Sequence, residues 1–94
     1  MKVEIEVLRA AINQLLDHAK EIGGDSIEVD ADLYWYVQRD ELNDPNVQPK
    51  ALTLGSLADD WAETRALAQR TRDPIGYGLV WASTVLRAIG DRVP

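Results

Sequence analysis

Near the start of the chain the apolar residues Ile5, Leu8, Ile12, Leu15, Ala19 and Ile22 recur at alternating spacings of three and four. That spacing draws one stripe down a helix, and Ala11 and Leu16 widen it. The pattern predicts a helix over 5–22. Gly23-Gly24 ends it, because glycine takes the left-handed conformation of a helix C-terminus without a Cβ clash. Val3, Ile5 and Val7 also alternate with Lys2, Glu4 and Glu6 as in a strand, but no turn residue separates Val7 from Leu8. A continuous helix with a few extended residues before it is the simpler reading.

The period changes to two over 27–37, where Ile27, Val29, Ala31, Leu33, Trp35 and Val37 alternate with Glu28, Asp30, Asp32, Tyr34, Tyr36 and Gln38. Alternation of this length predicts an extended segment with one buried face and one acidic, tyrosine-bearing face. A short helix capped by Asp30 or Asp32 is the competing reading. A strand cannot stand alone, since its backbone donors and acceptors need partners. Residues 1–5, a short return after Arg39, or a second copy of the chain could supply them.

Asp44-Pro45 and Gln48-Pro49, with Asn43 and Asn46, mark 38–52 as an ordered surface loop. Thr53 offers an N-cap for a helix over 54–70, with Ser56 as a second, later option. Asp59, Asp60 and Glu63 lie towards its start and Arg65, Arg70 and Arg72 towards its end, in the sense that suits the helix dipole. Asp73-Pro74 reads as an N-cap followed by proline at the first helical position, opening a third helix over 74–89. Ile75, Leu79, Ala82, Leu86, Ile89 and Val93 form its stripe, and Val80, Trp81 and Val85 make it apolar around much of its circumference. It is therefore expected at the centre of the fold, with Gly90 ending it. The predicted fold class is mainly α, a compact three-helix arrangement with a partly extended acidic segment at 27–37 capable of minor β structure. Ninety-four residues are expected to make a single domain over 1–94.

Charge sharpens this picture. Of 16 acids and 10 bases, residues 25–44 hold Asp25, Glu28, Asp30, Asp32, Asp40, Glu41 and Asp44 against Arg39 alone. Acids and bases balance elsewhere, so this segment carries the whole net charge of −6. Such a surface repels nucleic-acid phosphates and anionic lipids, and it favours a basic protein partner. There is no cysteine, which removes disulfides, thiolate catalysis and cysteine metal sites and suits a reducing compartment. The first residues lack the basic-then-apolar layout of a signal peptide, and no apolar run is long enough to span a bilayer. A cytoplasmic location is expected.

Chemistry-bearing motifs are sparse. His18 is the only histidine, beside Asp17 and Glu21, and is expected at the surface because one imidazole falls short of a catalytic zinc set. Glu28, Asp30 and Asp32 could hold a hard cation, but the glycine and terminal glutamate of a calcium loop are missing. A glycosidase-type carboxyl pair needs a larger cleft than so small a chain builds. Gly76-Tyr77-Gly78 follows no strand and has Asp73 nearby, so close helix packing explains its glycines better than phosphate binding. Tyr34-Trp35-Tyr36 stands out, since three consecutive rings cannot share one face. With Trp35 expected in the core beside Trp61 and Trp81, Tyr34 and Tyr36 emerge among the acids, where they suit a protein interface.

Leu33-Tyr34-Trp35, the run Leu52-Thr53-Leu54-Gly55-Ser56-Leu57-Ala58-Asp59-Asp60-Trp61, and Gly76-Tyr77-Gly78-Leu79-Val80-Trp81 with Leu86-Arg87-Ala88-Ile89-Gly90 give the chain a family likeness. It resembles a family of small, acidic, uncharacterised bacterial proteins over most of its length. The resemblance implies a bacterial setting and carries no catalytic residue. The expected function is that of a protein-interaction module of the inhibitor or immunity type, and not an enzyme. Its expected partner-binding residues are Glu28, Asp30, Asp32, Tyr34, Tyr36, Asp40, Glu41 and Asp44. No cofactor, metal, nucleic acid or membrane is expected. The alternative is a homo-oligomeric structural protein built by self-association, and a hydrolase using His18 with nearby acids is a third, weaker option.

Overall fold

The computed structural model describes residues 1–30, 33–37 and 52–94, and of 33–37 and 52–54 it describes the backbone. The chain is mainly helical, with three helices and one pair of short strands among the described residues. It divides into two compact units, residues 1–29 with 88–94 and residues 30–87.

In the first unit α1 runs from Ile5 to Gly23, close to the predicted range. Glu4 is its N-cap in an extended conformation, and the Glu4 carbonyl accepts from Leu8 N–H at 3.1 Å. Gly24 ends the helix with φ of 82°, a left-handed backbone open to glycine, while its N–H donates to Lys20 O at 2.8 Å. The stripe read from the sequence lies on this helix, but its burial is slight. Ala19 is buried, Ile12 half-buried, and Ile5, Leu8, Leu15, Leu16 and Ile22 are exposed. Residues 1–4 form no strand.

In the second unit β1, Leu33–Val37, pairs antiparallel with β2, Leu52–Ser56. Of the extended segment expected over 27–37, residues 33–37 form the strand and 27–30 form none, and the partner comes from later in the same chain. Across the ladder Trp35 faces Leu54 and Val37 faces Leu52, while Tyr34 faces Gly55 and Tyr36 faces Thr53. By strand alternation Leu33, Trp35, Val37, Leu52 and Leu54 hold positions on one face of the ribbon and Tyr34 and Tyr36 on the other.

This pairing corrects the second predicted helix. Leu54, Gly55 and Ser56 belong to β2, and Thr53 is a strand residue instead of a cap. Two physical reasons favour the strand. Leu52 and Leu54 fall in register opposite Val37 and Trp35 in the ladder, and Gly55 would weaken a first helical turn. Helix α2 is Leu57–Ala68, and the later cap option is the one used: Ser56 Oγ accepts from Asp59 N–H at 3.4 Å. At its other end Arg70 adopts φ of 58°. Arg70 N–H donates to Leu67 O at 3.2 Å and Thr71 N–H to Ala66 O at 3.0 Å, the paired bonds of a Schellman motif.

Helix α3, Gly78–Gly90, starts four residues later than Asp73-Pro74 suggested. Gly76 and Gly78 weaken helix formation there, and the chain enters through Gly78 N–H to Ile75 O and Leu79 N–H to Gly76 O contacts of the tighter three-residue type. Its predicted central position is also corrected. Only Gly78 is buried on it, Val80, Trp81, Ala82, Thr84, Val85, Ala88 and Ile89 are half-buried, and Leu79 is 77% exposed. The tryptophan core is corrected in part, since Trp61 is 50% exposed and Trp81 half-buried. No helix among the described residues is long and apolar enough to cross a membrane.

Candidate interaction surfaces

The expected partner-binding set is only partly placed. Glu28, in the first unit, and Asp30, in the second, are both exposed. Tyr34 and Tyr36 occupy alternate positions of β1, two residues apart on one face of the ribbon. Asp32, Asp40, Glu41 and Asp44 lie outside the described residues. Asp25 contributes to the acidic segment from just after α1, where its Oδ1 lies 3.5 Å from Lys20 Nζ with both side chains well exposed. An ion pair so open to water adds little to stability and leaves the local acid excess largely intact.

His18 is exposed on α1, with Nε2 2.9 Å from the Pro94 carbonyl oxygen. If that nitrogen carries the proton, the ring donates and ties α1 to residue 94 within the first unit. Among the described residues no three His, Asp or Glu side chains converge to hold a metal.

Two polar constellations in the second unit were not legible beforehand. Asp60 in the first turn of α2 is buried, and Thr84 Oγ1 from α3 donates to Asp60 Oδ2 at 2.7 Å. The Thr84 hydroxyl also lies 2.9 Å from Trp81 O, and Thr64 Oγ1 donates to the Asp60 carbonyl at 2.8 Å. The sequence marked Asp60 only as a dipole-matched acid, which it also is. Its burial depends on where α3 lies, and no local pattern encodes that.

The second constellation closes the connection between α2 and α3. Arg72 Nη1 lies 2.9 Å from Glu63 Oε2, and its guanidinium carbon sits 4.6 Å from the Trp81 ring centroid. Tyr77 meets the same indole edge-on, at 5.4 Å and 82°. A cation on the face and a ring edge are the two contacts an aromatic quadrupole favours. This arrangement orients the indole and anchors the turn.

Gly78 answers the question raised by the glycine pair. A Cβ there would meet Leu67 Cδ1 of α2 at 2.9 Å, so close packing explains this glycine, whereas Gly76 has open space around it. No protein-family model, curated protein or solved structure matches the chain.

Proposed function

We propose that this chain is a small interaction protein of the bacterial cytoplasm that binds a basic face of another protein, and that it acts by occlusion instead of catalysis. The observation that carries the reading is the confinement of the entire net negative charge to residues 25–44, next to tyrosines at alternate positions of β1. Carboxylates choose a cationic partner and speed its encounter, while tyrosine rings add contact area at small entropic cost. Glu28 and Asp30, the two members of the set whose side chains are described, are exposed. An inhibitor or immunity role follows the same physics: acids presented where a nuclease or toxin would otherwise hold phosphates.

The experiment compares tagged wild-type protein with the variant Glu28→Gln/Asp30→Asn/Asp32→Asn/Asp40→Asn in capture from bacterial lysate at low and high salt. A basic protein held by the wild type should be recovered about tenfold less by the variant and should be released by salt. Far-UV circular dichroism checks that both are equally folded. Identical captured proteins with the two baits at low salt, or a basic partner that high salt does not release from the wild type, would overturn the reading.

A further inference from the structure

The exposed face of α1 has the residue grammar of a two-stranded coiled coil. Ile5, Leu8, Ile12 and Leu15 fall at successive a, d, a and d positions of a heptad, isoleucine at each a and leucine at each d. That combination favours two parallel strands. Ile5, Leu8 and Leu15 are 63%, 47% and 61% exposed and Ile12 is half-buried, so the seam is largely uncovered.

We propose that α1 pairs with α1 of a second copy of this chain, parallel and in register. The residues flanking the seam argue for a copy of the same helix. In a parallel pair each g position meets the e position five residues further along the other helix. Glu4 would then meet Arg9 of the second copy, and Ala11 would meet Leu16 of the second copy. One contact joins opposite charges and the other joins two exposed apolar residues, and two-fold symmetry makes each contact twice. The antiparallel alternative over the same seam, with Ile5 opposite Leu15 and Leu8 opposite Ile12, sets Arg9 beside Arg9 of the second copy, a like-charge contact.

Both charged groups are available for this exchange. Glu4 makes no side-chain capping bond, and Arg9 Nε lies 3.2 Å from Glu6 Oε2 in an i,i+3 pair whose side chains are 63% and 81% exposed. Giving up so exposed a pair costs little. The remaining surface of the helix is mostly polar, with Asn13, Gln14, Asp17, Lys20 and Glu21 away from the seam and Val7 the main exception. Ala19, the next a position, is already buried, and the neighbouring His18 already contacts Pro94. The seam therefore spans two heptads, which calls for a reversible dimer of modest affinity.

Sedimentation equilibrium of the purified full chain across micromolar concentrations tests the pairing without any other protein. The expected result is a monomer–dimer equilibrium. Leu15→Lys, at an exposed position, should abolish the dimer while leaving the helical circular-dichroism signal intact. The chain has no cysteine, so Leu8→Cys introduces one thiol at a d position, where the two copies face each other closely enough for a disulfide. Mild oxidation should cross-link that variant. Glu4→Lys should weaken the dimer about tenfold, and adding Arg9→Glu should restore it. A wild-type monomer at every concentration, a dimer indifferent to Leu15→Lys, or a dimer of Leu8→Cys that fails to cross-link would overturn the proposal. None of these outcomes bears on the capture of a basic partner, so this inference and the proposed function fail separately.

Discussion

Asp60 is the one polar or charged residue among the described side chains that is buried, and its environment explains why it is tolerated. A carboxyl group removed from water needs hydrogen-bond partners, and the Thr84 hydroxyl supplies one from a different helix at 2.7 Å. The same contact makes Asp60 a tie between α2 and α3. Asp60→Ala should therefore destabilise the protein by about 1–3 kcal/mol, measured by urea denaturation, since it removes a buried hydrogen-bonded group and opens a small gap. Thr84→Val should cost a similar amount, because the carboxyl then loses this donor. A change within a few tenths of a kcal/mol for both variants would mean that water replaces the bond. Nothing around Asp60 in the sequence separates it from exposed Asp59, because both are first-turn acids and only the approach of α3 distinguishes them.

At the scale of the element, α2 shows both how far local signals reach and where they stop. Its start was ambiguous between Thr53 and Ser56, each a good cap residue, and strand pairing removed the ambiguity by taking Thr53 into β2 opposite Tyr36. Ser56 ends the strand and caps the helix at once, so no connecting residue intervenes. The C-terminal end was less legible, because Arg70 stands at φ of 58°, where glycine is the usual residue. The two ends should respond with opposite signs. Ser56→Ala should lower stability by about 1 kcal/mol through loss of the cap. Arg70→Gly should raise it by about 0.5–1 kcal/mol by relieving the left-handed conformation. Thermal unfolding of both variants checks the pair. Helix α1, by contrast, was legible almost to the residue, since a six-residue apolar stripe and a terminal glycine pair are strong, purely local signals.

At the scale of the whole molecule, the notable fact is how little apolar surface the described residues bury. Ala19 and Leu57 are the buried hydrophobic side chains, while Ile5, Leu8, Leu15, Ile22, Trp61 and Leu79 are among the large ones left exposed. Hydrophobic burial is the main favourable term in folding, so surface left uncovered is stabilisation still to be gained by association. If the seam on α1 supplies part of it, folding and dimerisation are linked. The unfolding temperature of the full chain should then rise with protein concentration, by roughly a few degrees per tenfold. Calorimetry at several concentrations checks this, and Leu15→Lys should remove the dependence. The acidic segment is a different kind of feature. Its charge is a property of composition and was evident at once, whereas the position of most of its side chains belongs to residues outside the described set.

Helix content, the range of α1, the extended character of 33–37 and the concentration of negative charge all follow from the order of residues along the chain. Periodicity, glycine chemistry and local charge act over a few residues, and their effects can be read without knowing what lies opposite. The partner of β1, the shortened start of α2 that follows from that pairing, the burial of Asp60 and the stacking of Arg72 on Trp81 could not be read that way. Each joins residues that are distant or irregularly spaced in sequence. Their free energy depends on distance, desolvation and close packing between elements, and these quantities exist only once the chain has folded.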